Sequence, residues 1–260
     1  QKLGRIVVFV GSRGGAGAST LAMNCAWLMA HEQELRVALV DLDLQFGTLA
    51  LNLDIEPSHG LVEALQNPSR IDGLFIASAM VNESEQLFVL ASEEPIDVAV
   101  SFNAEAIDLL FDEMRETFDC IVVDLPRGNL VQSRALLAKA AEVGVVCDLS
   151  LPCVRDTMCV LSFLKEAAGD ANVSVIANRV RRGAKGQISK RDFERGIETG
   201  IDFVIPDDAK AATASANAGK PLPAVAKRSG IVQALRKLEL RLSGLSEPKR
   251  GILFGKRGTA

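Results

Sequence analysis

One stretch limits what this chain can fold into more than any other: Gly11-Ser-Arg-Gly-Gly-Ala-Gly-Ala-Ser-Thr20. It follows Arg5-Ile-Val-Val-Phe-Val10, a continuous β-prone run of the kind that a strand buried on both faces requires. It opens into Ser19 to Ala30, which reads as a helix. A strand, a glycine-rich turn and a helix in that order are the context that a phosphate loop needs, although an empty tight turn without a ligand has the same pattern. Glycines let successive backbone N–H groups turn toward an anion without Cβ clashes. The helix N-terminus adds a partial positive charge at the same spot.

The rest of the chain repeats the alternation. Val37–Asp41, Gln86–Leu90, Cys120–Asp124, Val143–Cys147, Val173–Ala177 and Phe203–Ile205 read as further strands. Ala104 to Phe118 reads as an amphipathic helix with Ile107, Leu110, Phe111 and Met114 on one face. Further helices are expected near Arg155–Ala168, Lys190–Glu198 and Ile231–Arg241. Strands alternating with helices predict an α/β fold: a mostly parallel, twisted sheet flanked by helices on both faces. Such sheets bind ligands at the carboxyl ends of their strands.

Length and composition fit that expectation. The 260 residues are 48% hydrophobic and 24% charged, enough for one sizeable domain with a buried core. We expect the domain to occupy residues 1–244 and a mobile basic tail to occupy 245–260. No apolar run reaches the ~18 residues of a spanning helix. A start at Gln1 without Met suggests a fragment of a longer protein. The five cysteines, Cys25, Cys120, Cys147, Cys153 and Cys159, show no C-x-x-C spacing and read as buried reduced thiols. His31 and His59 are solitary, which suits surface or cap roles, and Trp27 reads as core.

The formal net charge of -4 hides an asymmetry. Residues 169–260 hold 18 Lys and Arg against 9 Asp and Glu, whereas residues 1–168 hold 11 against 24. A basic C-terminal part can be an unevenly solvated surface, or it can face an acidic partner, anionic lipid or nucleic acid. Its densest run, Arg179, Arg181, Arg182, Lys185, Lys190, Arg191 and Arg195, contains Asp192 and Glu194 and no interleaved aromatics. That pattern suits a solvated face better than a nucleic-acid interface, and the acidic total also argues against nucleic acid as a partner.

Set against G-x-x-x-x-G-K-[ST], the loop supplies Gly11 and Gly17 as the two glycines and Ser19 as the hydroxyl that meets Mg2+. The lysine position is Ala18. With its neighbours the loop reads Arg13-Gly14-Gly15-Ala16-Gly17-Ala18-Ser19-Thr20, and it resembles the deviant phosphate loop of the ParA/MinD superfamily, K-G-G-x-G-K-[ST]. Other motifs follow in that superfamily's order. Asp41-Leu-Asp43 resembles switch I. Cys120-Ile-Val-Val-Asp124-Leu-Pro126 is similar to Walker B and switch II, with the usual glycine one place late at Gly128 and Arg127 before it. Asn178-Arg179 and Ile205-Pro206-Asp207 resemble the adenine-side segments. Ala214-Ser-Ala-Asn217-Ala-Gly219-Lys-Pro221 resembles the Ala, Gly and Pro signature that comes after them.

The resemblance implies a P-loop NTPase-like protein that binds ATP or ADP with Mg2+. It assigns nucleotide contacts to Arg13, Gly14, Gly15, Ala16, Gly17, Ala18, Ser19, Thr20, Asn178, Arg179, Pro206 and Asp207. It places the metal near Ser19, Asp43 and Asp124, and gives Asp43 the catalytic task of orienting the attacking water. Asp41 is open between a structural role and one at the metal. It also implies a sandwich homodimer in which Arg13, standing for the family's signature lysine, reaches the partner's phosphates.

The loop together with Asp-Leu-Asp-Leu-Gln-Phe-Gly-Thr48 looks most like the TadZ/CpaE branch. That branch implies a cytoplasmic protein at the cell pole or inner-membrane face, placing the pilus secretion and assembly machinery or docking on a polar scaffold. It also implies an N-terminal receiver-like domain in the full-length chain. Ala18 removes a cation from the β- and γ-phosphates, and losing a preorganised donor of this kind typically costs ~10²–10³ in rate. The expectation is therefore nucleotide binding with weak or absent hydrolysis. A nucleotide-free scaffold and a ParA-like DNA-binding partition protein stay open as alternatives.

Overall fold

The computed structural model describes residues 3–98, 103–181 and 183–245. The expected tail, 245–260, lies outside them apart from Leu245, as does Arg182 of the basic run.

Among the described residues eight strands form one sheet: β1 (Arg5–Gly11), β2 (Val37–Asp41), β3 (Val81–Asn82), β4 (Leu87–Leu90), β5 (Cys120–Asp124), β6 (Glu142–Cys147), β7 (Asn172–Val180) and β8 (Phe203–Pro206). Their spatial order is β3-β4-β2-β5-β1-β6-β7-β8. Every pairing is parallel except that of β3 with β4. The seven expected strands are all present; the two-residue β3 is too short to show a period. β2, β5 and β6 are buried along their whole length. A strand covered by helices on both faces needs apolar residues at every position, hence the continuous Val-rich runs.

Among the described residues eleven α-helices fill the connections: α1 (Ala18–His31), α2 (Leu49–Asn52), α3 (Gly60–Gln66), α4 (Gly73–Ala79), α5 (Ala104–Thr117), α6 (Arg134–Lys139), α7 (Leu151–Ala167), α8 (Lys190–Ile197), α9 (Ala209–Ala218), α10 (Leu222–Val225) and α11 (Gly230–Ser243). Alternate residues of β1 feed opposite layers. Ile6, Val8 and Val10 pack with residues of α3, α5, α6 and α7, while Val7 and Phe9 pack with those of α1 and α11. In α5, Ile107, Leu110, Phe111 and Met114 are all buried, and Asn103 caps the helix by accepting from the N–H groups of Glu105 and Ala106.

Two expectations need correction. The helix expected from Arg155 begins at Leu151, one turn earlier. Pro152 stands in its first turn, where the missing N–H would have had no partner anyway, so proline starts this helix and does not break it. Of the cysteines, four are buried but Cys159, on the outer side of α7, is exposed.

Candidate functional site

The site is built where β1, β2 and β5 end side by side. Their register sets Asp41 of β2 directly against Asp124 of β5, while β1 delivers the glycine loop between β5 and β6. The result is a cavity of about 470 Å³. Residues 13–20 wall one side, and Asp43, Gly47, Thr48, Asp124, Arg127 and Arg179 are on the others.

The loop owes its shape to its glycines. Gly17 has φ +96° and directly precedes α1. A Cβ there would lie 2.3 Å from the Asn178 amide nitrogen, so the position excludes side chains twice over. Asn178 is buried and donates to the Ala16 carbonyl at 2.9 Å, and Arg179 donates to the Gly15 carbonyl at 3.0 Å. These two residues brace the loop from behind. In contrast, the N–H groups of Gly14, Gly15, Gly17, Ala18, Ser19 and Thr20 have no protein acceptor among the described residues. Six unpaired donors along one cavity wall, at the start of a 14-residue helix, make an anion cradle.

The carboxylates differ in burial. Asp124 is 6% exposed, and burial pushes its carboxyl up to about 6. The Ser19 hydroxyl beside it opposes the rise, and the nearby Asp43 charge adds to it. Asp41 is fully buried; burial, then the Asp124 charge, push it up to about 7. It accepts from the N–H groups of Asp43 (3.1 Å) and Leu49 (3.2 Å), so it pins both ends of the turn from β2 to α2. A Cβ on Gly47 would approach its carboxylate to 2.5 Å, which is why the turn can close on it. Those two bonds give Asp41 a structural part in the turn. Asp43 is only half-buried and accepts from the Phe46 N–H, leaving its carboxylate at the cavity wall.

The donor set suits Mg2+ bound through a nucleotide. A hydroxyl and a carboxylate, Ser19 and Asp124, are hard oxygen ligands at one end of the anion cradle. Among the described residues no three His, Cys, Asp or Glu side chains converge to hold an ion by themselves. An ion here would complete its shell with phosphate oxygens and water, as Mg2+ commonly does.

The sequence-predicted residues do not all meet. Arg13 to Thr20, Asp43, Asp124 and Arg179 line the cavity. Asn178, Pro206 and Asp207 do not. Asp207 instead receives Arg181 at 2.7 Å. Two residues at the site had no assigned role. Arg127 was visible in the sequence only as the residue ahead of a displaced glycine. Asp156, on α7, gave no signal at all, since it is brought in by the crossover after β6; it lies 3.9 Å from Arg13 and 3.8 Å from Arg127.

A parallel sheet with a glycine loop, a half-buried hydroxyl and a buried carboxylate at its carboxyl edge defines a phosphate-loop nucleotide-binding fold. Residues 7–222 match the family described as CobQ/CobB/MinD/ParA nucleotide binding domain, and the chain belongs to that family. It is 28% identical over 251 residues to the septum site-determining protein MinD of Synechocystis sp., covering 95% of this chain and 92% of that one. In structure it is similar to a ParA family ATPase from Chlorobium tepidum, with a TM-score of 0.83 at 24% identity, covering 92% of this chain and 99% of that one. It is also similar to the MinD of Pyrococcus horikoshii complexed with Mg-ADP, with a TM-score of 0.75 at 23% identity, covering 92% and 96%. Among the described residues no helix is long and apolar enough to cross a membrane.

Proposed function

We propose that this chain is a nucleotide-controlled dimerising and positioning protein that binds ATP or ADP with Mg2+ and hydrolyses slowly or not at all. One observation carries the reading: six unpaired loop N–H groups and the Ser19–Asp124 pair share one cavity, while a methyl group, Ala18, stands where a lysine would serve the phosphates. Backbone donors and the helix terminus suffice to hold phosphates, whereas turnover needs charge at the transferring group. Asp43 would orient water, and Ser19 and Asp124 would hold the ion. Asn178, Arg179, Pro206 and Asp207 would frame the adenine side. The Pyrococcus horikoshii relative was solved with Mg-ADP, which supports the same ligand class here.

Dimerisation through this edge has two supports. Exposed apolar side chains, Phe46, Ile96, Val131 and Leu151, stand in the segments that leave β2, β4, β5 and β6 at the site end of the sheet. Arg13 stands at the position that resembles a trans-acting signature residue. The TadZ/CpaE reading, and with it a polar role in placing pilus machinery at the cytoplasmic face of the membrane, rests on the resemblance of residues 13–20 and 41–48. The relatives described above are named for septum-site determination and for the ParA family.

Steady-state ATP turnover of the wild type and of Ala18→Lys tests the reading. Slow wild-type turnover that rises with lysine agrees with it; wild-type turnover already as fast as that of lysine-bearing relatives sinks it. Sedimentation with magnesium-ATP tests the dimer, where Arg13→Ala should lower the dimer fraction. A fluorescent fusion tests the location, and a diffuse signal in cells that still assemble pili removes the placing role.

A further inference from the structure

The cavity lacks a lysine, yet it does not lack a cation on the phosphate side. Arg127 follows the Asp124-Leu-Pro126 turn, opens a short 3-10 turn (Arg127–Asn129) and lines the same cavity as residues 13–20. Its Nη1 donates to the Ser12 carbonyl at 2.9 Å, which fixes the guanidinium beside the base of the loop. The same Nη1 lies 3.8 Å from the Asp156 carboxylate. Its Nε and Nη2 have no partner among the described residues. Ala18, at the lysine position, packs partly buried against the core layer of α1 and contributes no charge.

We propose that Arg127 supplies, within its own subunit, the positive charge to the nucleotide phosphates that Ala18 does not. The inference rests on the nucleotide-binding reading above and adds a residue to it. A guanidinium has five donors in a planar fork. Here one nitrogen is spent on the loop backbone and one edge is left for an anion, so the group is positioned before a ligand arrives. Asp156 has a second part. Its single carboxylate is shared between Arg127 and Arg13, which is 3.9 Å away, so it aligns two cations without neutralising both. Arg13 stays available to a neighbouring molecule while Arg127 is tethered to its own loop by Ser12. The charge enters from the turn after Asp124, whereas a lysine at position 18 would enter from the start of α1. That makes it suited to holding a nucleotide, and it need not follow the transferring phosphoryl group as a lysine would.

Equilibrium binding of magnesium-ATP and of AMP to the wild type, Arg127→Gln and Arg127→Lys tests this, with thermal unfolding as a check on folding. Glutamine keeps a polar amide on a shorter side chain and removes the charge. Arg127→Gln should weaken magnesium-ATP by roughly tenfold or more, as expected for one charge-assisted hydrogen bond, and should leave AMP within about twofold. Arg127→Lys should keep most of the preference for ATP over AMP. Adding Ala18→Lys to Arg127→Gln should restore ATP affinity, a rescue that a purely structural role of Arg127 would not allow. Unchanged ATP affinity in Arg127→Gln overturns the inference and leaves the nucleotide reading standing. Equal losses for ATP and AMP mark Arg127 as a structural support and also overturn it. A wild type that binds no nucleotide removes both.

Discussion

The two sides of the cavity are finished to different degrees. On the phosphate side, six loop N–H groups lack acceptors and the Asp124 carboxyl is held in a buried place that favours its neutral form. On the far side, Asn178 is bonded to the Ala16 carbonyl, Arg179 to the Gly15 carbonyl and Arg181 to Asp207. Unmet donors represent binding capacity held in reserve; satisfied ones represent rigidity. The late-strand residues of β7 therefore act first as a brace that sets the loop, and the donors left open to a ligand lie in the loop backbone.

The comparison breaks most decisively at Gly17. Gly17→Val puts a β-branched residue at φ +96° and against the Asn178 amide. Nucleotide binding should fall by more than about a hundredfold and stability by about 1–3 kcal/mol, consistent with strain at such a position. Calorimetry and thermal unfolding of the variant check both, and a well-bound nucleotide would show that the loop does not need this conformation.

Asn178→Ala comes next. It leaves the Ala16 carbonyl without its buried donor, which should cost about 1–3 kcal/mol of stability. If Asn178 is a brace, nucleotide affinity falls in step with loop disorder for ATP, ADP and AMP alike. Chemical denaturation reads the first effect and competition binding the second; a loss for the adenine nucleotides that pyrophosphate, which has no base, does not share would make Asn178 a ligand contact.

Asp41 and Asp124 predict a pH dependence whose sign is unusual for carboxylates. Each is raised above its ordinary value of 3.8, to about 7 and about 6. The protonated form therefore favours the fold. Its contribution is complete below about pH 4 and is lost as pH rises through about 6 to 7. Glu239 of α11, also raised to about 7 by burial, acts in the same direction. The ligand-free protein should lose stability across that window, and Asp41→Asn should flatten part of the slope. Magnesium-nucleotide affinity should run the other way and weaken below about pH 6, where Asp124 takes up its proton. Thermal unfolding from pH 4 to 8, with and without magnesium-ATP, reads both trends.

Asp207 should give the smallest effect. Its pair with Arg181 lies near the surface, the arginine side chain being 59% exposed, so Asp207→Ala should change stability by no more than about 0.5 kcal/mol. A large loss of nucleotide affinity in this variant would show that the proposed adenine-side role of Asp207 outweighs its part in the surface pair.

The fold was legible because a buried parallel sheet demands apolar runs at every strand, and seven of eight strands have them. The phosphate loop was equally legible, since only glycines allow its shape. Short helices such as α3, α4 and α6 carry too few turns to show a period. α7 hid its first turn behind Pro152. The cluster of Arg13, Arg127 and Asp156 joins three segments far apart in sequence, and nothing local marks Asp156 as its centre. Burial separates Asp41, fixed in the β2-to-α2 turn, from Asp43, open to the cavity, although the two stand only two residues apart.

The most direct test of the account is a calorimetric titration of magnesium-ATP into the unmodified protein near pH 7.5. Saturable heat with one nucleotide per chain is expected. The absence of any heat or thermal shift at saturating magnesium-ATP would contradict it, leaving a dimerising scaffold that keeps the loop's shape without its ligand.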